Sequence, residues 1–516
     1  MSMREDREDH PAAKFGPAGH VIYHGEECEP EPRANYISEL FRPWIIRQWI
    51  DAGKIHREPT PRETPRFELF FDLLYVAVIH QLAEEAISEP GWPAVVRFVL
   101  VFWPSWSIWE EARKYSNLSG TDDLLHRFWI LIGTITILGY SANASAVRLE
   151  VSKVSDHYAV HYAAAFWLII KLTRVIILLL YAYRLPDFRS SQILQAVAVL
   201  IPMFLYLPLL WTKHRHMHII LATLGLVFDV VRVDLLVWNI VGRWQARRDG
   251  KVKVRWWSMP KLKPGIRIPA MNIEHAIERY SAFLVIVLGE LIMNLLYTAS
   301  KKDLGLSVKF GRATLGMMTA WALNYLSLLP SEPNSEYEHA LRRSWFSGIC
   351  FSVFHWPLVA SLLLASAGAK HLVDETQVEE GTRWYWSTGL GVAILFLGLI
   401  DATHRDLAPR FATKIPRFLR QIFTLITAVS LILSPLTAPI QRMTSIQLLG
   451  VAVAATWGLL IVQVLGSLPR AGYRGVKLDD EGESVVEQER DAEAAEAAGE
   501  GQDAEGPEGE EGEAYI

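Results

Sequence analysis

Glu68, Asp72 and His80 lie in FELFFDLLYVAVIHQLAEEAI, residues 67–87, a stretch otherwise apolar enough to cross a bilayer. A spanning helix needs roughly 20 mostly apolar residues at 1.5 Å rise each. A carboxylate inside one costs something like 3 kcal/mol on insertion scales. It persists only where it faces protein, water or a partner ion. Glu68 and Asp72 are one turn apart, about 40° round a helix, and so line one stripe.

NIEHAIERYSAFLVIVLGELIMNLLY repeats the pattern: His275, Glu278 and Arg279 open it, and Glu290 sits near mid-span with Asn294 one turn on. TDDLLHR sets Asp122, Asp123, His126 and Arg127 at the mouth of another apolar run, and Asp122, Asp123 and Arg127 with Glu68, Asp72, Glu278 and Arg279 compose a charge-paired network. Lys171 and Arg174 in one run face Asp229, Arg232 and Asp234 in another, so Arg174 with one of those aspartates is a natural cross-helix pair. Glu84, Glu85, Glu110 and Glu111 fall near helix ends and read as solvated.

Two readings of these charges stand side by side. A carboxylate beside a cation has a tunable pKa and carries a proton or coordinates an ion. Alternatively, the same charges lock helices together. Glu68, Asp72 and Glu290 are the coupling candidates. Asp122, Asp123, Arg127, Arg174, His275, Glu278 and Arg279 are their network partners, and Glu290 is the sharpest single choice.

Other chemistry is thin. His157 and His161, one turn apart, and His214, His216 and His218 lack a carboxylate or thiol at metal-site spacing, so no metal or cofactor is expected. Trp103, Trp106 and Trp109 at three-residue spacing read as helix packing. RWWSMPKLK is basic and aromatic, but beside a membrane it reads as a headgroup anchor and not a nucleic-acid site. Phosphate loops, GxSxG and HExxH are absent, and no enzyme is expected.

These residues require a scaffold of many crossings. Half the 516 residues are apolar, mostly in runs of about 20. Twelve such runs fall at about 67–87, 92–111, 124–146, 158–183, 190–211, 217–241, 275–298, 309–330, 342–368, 384–403, 416–438 and 445–468. With an inside start, cytosolic flanks hold about 28 Lys and Arg against about 10 outside, which puts both termini in the cytosol. Net charge is −5, yet from Leu478 onward about 16 acids face one base, leaving the main body at about +10. The expected architecture is all-α and polytopic, with about twelve transmembrane helices. Residues 1–66 form a cytosolic segment, 67–470 the membrane domain and 471–516 a disordered acidic tail. YISELFRPWIIRQWI suggests a surface helix placing Leu40, Phe41, Trp44, Ile45 and Trp49 on one face. The first and seventh runs both start inside and open on a carboxylate, Glu68 and Glu278, which suggests a two-half repeat.

TPRFELFFDLLYVAVIHQLAE resembles the opening signature of the low temperature requirement protein A family. WEEARKYSNLSGTDDLLHRF resembles its second-to-third helix junction, and FWLIIKLTRVIILLLY its fourth helix with a buried Arg, here Arg174. HAIERYSAFLVIVLGE resembles its seventh-helix motif, which carries over to His275, Glu278, Arg279, Gly289 and Glu290. The likeness spans roughly 65–300. Two departures flank the site: His80 stands where Thr or Ser is usual, and Leu291 where Ser is frequent. The 243–270 loop and acidic tail look like additions of a eukaryotic, fungal branch. The resemblance implies a multi-pass membrane protein linked by name to growth in the cold, and supplies no established catalytic residue.

The function expected is proton- or ion-coupled transport of a small solute, or a channel, with membrane lipids as partners. The alternative is a non-catalytic membrane scaffold or sensor whose buried charges are structural.

Overall fold

The computed structural model describes residues 21–23, 46–51, 54–57, 66–87, 91–119, 124–148, 154–230, 267–301, 303–328, 337–406 and 412–470. Asp122, Asp123, Arg232, Asp234, most of the 243–270 loop and the acidic tail lie outside them.

Each apolar run falls on a long helix: α1 Arg66–Ile87, α2 Trp92–Ser119, α3 Leu124–Ala144, α4 Val154–Arg184, α5 Arg189–Tyr206, α6 Arg215–Val230, α7 Ile273–Leu295, α8 Val308–Leu328, α9 Trp345–Asp374, α10 Glu380–Thr403, α11 Arg417–Leu433 and α12 Ser445–Ser467. Seven are long and apolar enough to cross a membrane: α3, α4, α5 and α9 to α12. The other five are shorter, less apolar or bring more charge into the span, as α1 does with Glu68, Asp72, Glu84 and Glu85. The exposed faces fit hydrocarbon. Leu69, Phe70 and Leu73 on α1, and Leu131, Ile135 and Leu138 on α3, point outward while Glu68 and Asp72 of α1 point in.

At the centre, α1 and α7 pack on each other and both pack on α9. One flank holds α2 to α6, and the other α8 and α10 to α12. Small residues set the closest approaches. A Cβ on Gly389 of α10 would lie 2.8 Å from the Ser361 carbonyl of α9, and one on Gly391 would lie 2.7 Å from the Ile432 nitrogen of α11. Glycine at both lets three backbones meet, the usual way helices gain contact where lipid removes the hydrophobic drive. Pro104 interrupts the α2 backbone ladder. Two buried tyrosines reach that stretch: Tyr140 donates to the Val101 carbonyl at 2.5 Å and Tyr75 to the Ser105 carbonyl at 2.6 Å.

The N-terminal segment departs from expectation. Trp49 does not lie on a surface helix; Trp49–Asp51 is a strand, β2. With β1 (Val21–Tyr23), β3 (Lys54–Arg57) and β4 (Ile268–Pro269) it forms a sheet in the order β1-β3-β2-β4. Pairing of Ile50 with Ile268 ties the chain entering α1 to the chain entering α7. Alternating residues there satisfy a strand as well as a helix, and Pro43 removes a helical donor upstream. The carboxylates that suggested a repeat are also unlike: Glu68 is buried and Glu278 exposed.

Candidate functional site

The α1–α7 pair carries a buried polar cluster near each end. At the end where both helices begin, Arg279 Nη2 donates to Asp72 Oδ1 at 2.8 Å, and its Nη1 lies 2.6 Å from Asp72 Oδ2. Trp109 of α2 donates to the same Oδ1 at 2.8 Å. Glu68 sits 3.0 Å from His275 Nε2 and 3.7 Å from Arg279 Nε. All four ionisable residues are buried.

The imidazole state follows from its neighbour. Asn117 grips the Asn272 backbone with both ends of its amide: Oδ1 accepts from the N–H at 2.9 Å and Nδ2 donates to the carbonyl at 2.8 Å. That orients the NH₂ toward His275 Nδ1 at 3.2 Å, so Nδ1 is an acceptor and Nε2 carries the hydrogen donated to Glu68. Asn272 in turn caps α7, its side chain accepting from the His275 N–H. This end is a closed knot of three helices.

Of the other expected partners at this end, Asp122 and Asp123 lie outside the described residues. Glu278, about 100° round α7 from Arg279, is exposed. Arg127 is exposed too, its guanidinium 5.0 Å from the Phe67 ring centre.

The opposite end is built differently. Glu290 is 1% exposed, and its Oε1 lies 2.7 Å from Nδ1 of His80, whose side chain is 41% exposed. Asn294 donates to the same oxygen at 2.6 Å and to Ser366 of α9 at 2.9 Å. Outward, His80 Nε2 is 3.6 Å from Glu84, which accepts from Lys370 at 3.0 Å. A continuous polar chain therefore runs from exposed Lys370 and Glu84 through His80 to a buried acid. Glu290 lies five residues from the end of α7, not at mid-span. The apolar run read from sequence extends past the helix, and that displaced its apparent centre.

A third cluster joins α2, α4 and α6. Lys171 Nζ bridges Glu111 at 3.0 Å and Asp229 at 3.1 Å. Arg174 Nε lies 3.3 Å from Glu111, so its partner is on α2 and not on α6. Trp103 and Ser107 donate to the other Asp229 oxygen at 3.1 and 2.6 Å. A crevice of about 460 Å³ lined by Glu111, Lys114, Arg174, Gln195 and Asp229 opens beside this cluster.

Sequence reasoning missed Glu111 and Arg113. The apolar run ends at about residue 111, but α2 continues to Ser119, which carries both into the interior. Glu110 and Arg113, spaced i,i+3, bond at 2.7 and 2.9 Å, and that spacing was the available signal. Among the histidines, His161 and His218 both donate Nε2–H to the Thr212 carbonyl, at 2.9 and 2.6 Å. No group of three His, Cys, Asp or Glu placed to hold a metal occurs among the described residues.

No curated protein and no solved structure matches the chain. A family model does, and it reaches well beyond the motifs in the first 300 residues, through α8 to α11 and into α12. Matched over residues 64–462, the chain belongs to the family described as Bacterial low temperature requirement A protein (LtrA).

Proposed function

We propose that this multi-pass membrane protein couples movement of a proton or small ion to that of a small solute, with Glu290 as the coupling carboxylate. One observation carries the reading: a buried acid hydrogen-bonded to an imidazole that water reaches. Histidine titrates near neutral pH, and an intramembrane carboxylate wired to it is the ordinary device for passing a proton. Protonating Glu290 removes a buried charge and loosens its hold on His80, so α1 and α7 separate more easily at that end. A change of this kind shifts the balance between inward- and outward-open states.

In this reading all twelve long helices span the bilayer and both termini are cytosolic, which sets the His80–Glu290 end toward the outside. Glu68, Asp72, His275 and Arg279 hold the helices and do not carry the ion. No step is enzymatic, and lipids are the surrounding partners.

The closed contact of Asp72 with Arg279 favours a second reading, a membrane scaffold or sensor. Purified protein in liposomes with an entrapped pH dye separates the two. Transport predicts proton movement driven by a member of a panel of labelled solutes, lost in Glu290→Gln with folding intact. Solute-independent dye traces, identical in wild type and variant, would leave the scaffold.

A further inference from the structure

A second cavity, unrelated to Glu290, lies among α2 to α6 at the end where α1 and α7 terminate. It is open at its mouth, and the free space between its walls, mouth included, is about 670 Å³. Its walls are apolar, formed by Leu100, Val101, Pro104, Ala164, Trp167 and Leu209. The hydroxyls of Tyr140 and Tyr206, also in the lining, already donate to the backbone carbonyls of Val101 and Ala222. A wholly polar ligand would find few partners on those walls. The rim differs. Arg97, Arg148 and Arg215 all line the cavity, and among the described residues no lining residue is acidic. Glu85, outside the lining, contacts Arg97 at 3.1 Å and Arg148 at 2.7 Å. Two of the three guanidiniums thus share that carboxylate. At the floor Trp167 stacks on Tyr206 at 4.2 Å, with Lys171 Nζ 5.2 Å from the Trp167 ring centre.

We infer that this cleft binds a single-chain amphiphilic anion, a carboxylate or phosphate on an alkyl or aryl body, with its head on the arginine rim and its body against Trp167. Guanidinium forks match both head groups. From Arg215 to Ala222, both in the lining, α6 rises about 10 Å, which accommodates a medium-length chain. The inference concerns equilibrium binding and stands whether or not the protein transports anything.

The test uses the full chain in phosphatidylcholine nanodiscs and quenching of tryptophan by brominated dodecanoate, brominated dodecyl phosphate and brominated dodecanol. Both anions are expected to quench saturably, at least tenfold more tightly than the alcohol, and Trp167→Phe should remove that component. Arg148→Gln with Arg215→Gln, both exposed in the native protein, should weaken the anions about tenfold and leave the alcohol unchanged. Ala222→Phe, which fills the cleft, should abolish saturable quenching, and circular dichroism keeps the variants comparable. Equal affinity for alcohol and anions would overturn the inference, as would quenching indifferent to Trp167→Phe. Saturable quenching by brominated phosphatidic acid in the bilayer, with none by the single-chain anions, would also overturn it, since the cleft would then hold membrane lipid.

Discussion

Two buried carboxylates sit on one helix pair, near opposite ends, and what differs is the cation beside each. Asp72 faces Arg279, which stays charged at any pH a protein survives, and both are sealed from water. Glu290 faces His80, an imidazole whose side chain is 41% exposed. The first contact can only be kept or broken. The second joins a buried acid to a ring that water reaches. Burial of an acid therefore does not by itself mark a working site; the partner's chemistry and its access to water decide.

The comparison breaks most cleanly at Arg279. Arg279→Met leaves Asp72 and Glu68 buried without their guanidinium, and removing one partner of a buried pair costs about 3–5 kcal/mol. The expected result is little folded protein, or a large fall in thermal midpoint in detergent. Adding Asp72→Asn should recover much of that loss. An Arg279→Met protein as stable as wild type would mean that ion pairing does not hold this end.

A half-buried imidazole with no carboxylate partner sharpens the contrast. His339, in the loop before α9, accepts the Leu341 N–H on Nδ1 and lies 4.6 Å, ring to ring, from His404. Burial, first of all, and then the neighbouring His404 and His355 push its pKa down from 6.5 to about 3. The unfolded chain thus takes up the proton first. Stability from this residue is complete above pH 6.5 and is lost as pH falls from 6.5 toward 3. At pH 5.5, one unit below the unfolded value, the loss is at most about 1.4 kcal/mol, less with partial exposure. His339→Asn keeps a capping acceptor and removes the titration. Its thermal midpoint should fall less between pH 7.5 and 5.5 than that of wild type; an equal fall would assign the acid sensitivity elsewhere.

How much of this was legible in the sequence follows the range of each interaction. Apolar runs report on the bilayer, so all twelve long helices were readable, and Glu68, Asp72, His275 and Arg279 were placed together because i,i+4 spacing fixes a helical face. The cross-helix partner of Arg174 was not readable, since either α2 or α6 could supply an acid and only packing chooses Glu111. Sequence proximity groups Glu278 with Arg279, but adjacent residues on a helix lie about 100° apart and point to different faces. The loop charges start both the first and the seventh run inside, but they do not say that α1 and α7 touch, and His80 finds Glu290 only through that packing. Trp49 failed for a simpler reason. Three strand residues are too few to show a period of two against a period of 3.6.

Glu290→Gln probes the other side of the comparison by stability alone. The amide can still accept from Asn294 and meet His80, so the cost should be about 1 kcal/mol, several-fold below that of Arg279→Met. Comparable losses at the two sites would show that Glu290 is held as rigidly as Asp72, and the distinction between them would go.

The smallest effect is expected at the outer rim of the same chain, where Lys370 and Glu84 pair at 3.0 Å with both side chains about half exposed. Such a pair contributes less than about 1 kcal/mol and is screened by salt, whereas a buried pair is screened little. A double-mutant cycle on Glu84→Gln and Lys370→Gln should give a coupling near the detection limit that vanishes between 0.05 and 0.5 M salt, concentrations that bracket a Debye length of about 10 Å. The cycle on Asp72→Asn and Arg279→Met should give a large coupling that salt leaves unchanged. If salt erased both couplings, water would reach Asp72 as readily as it reaches His80, and the two ends of the helix pair would be the same kind of site.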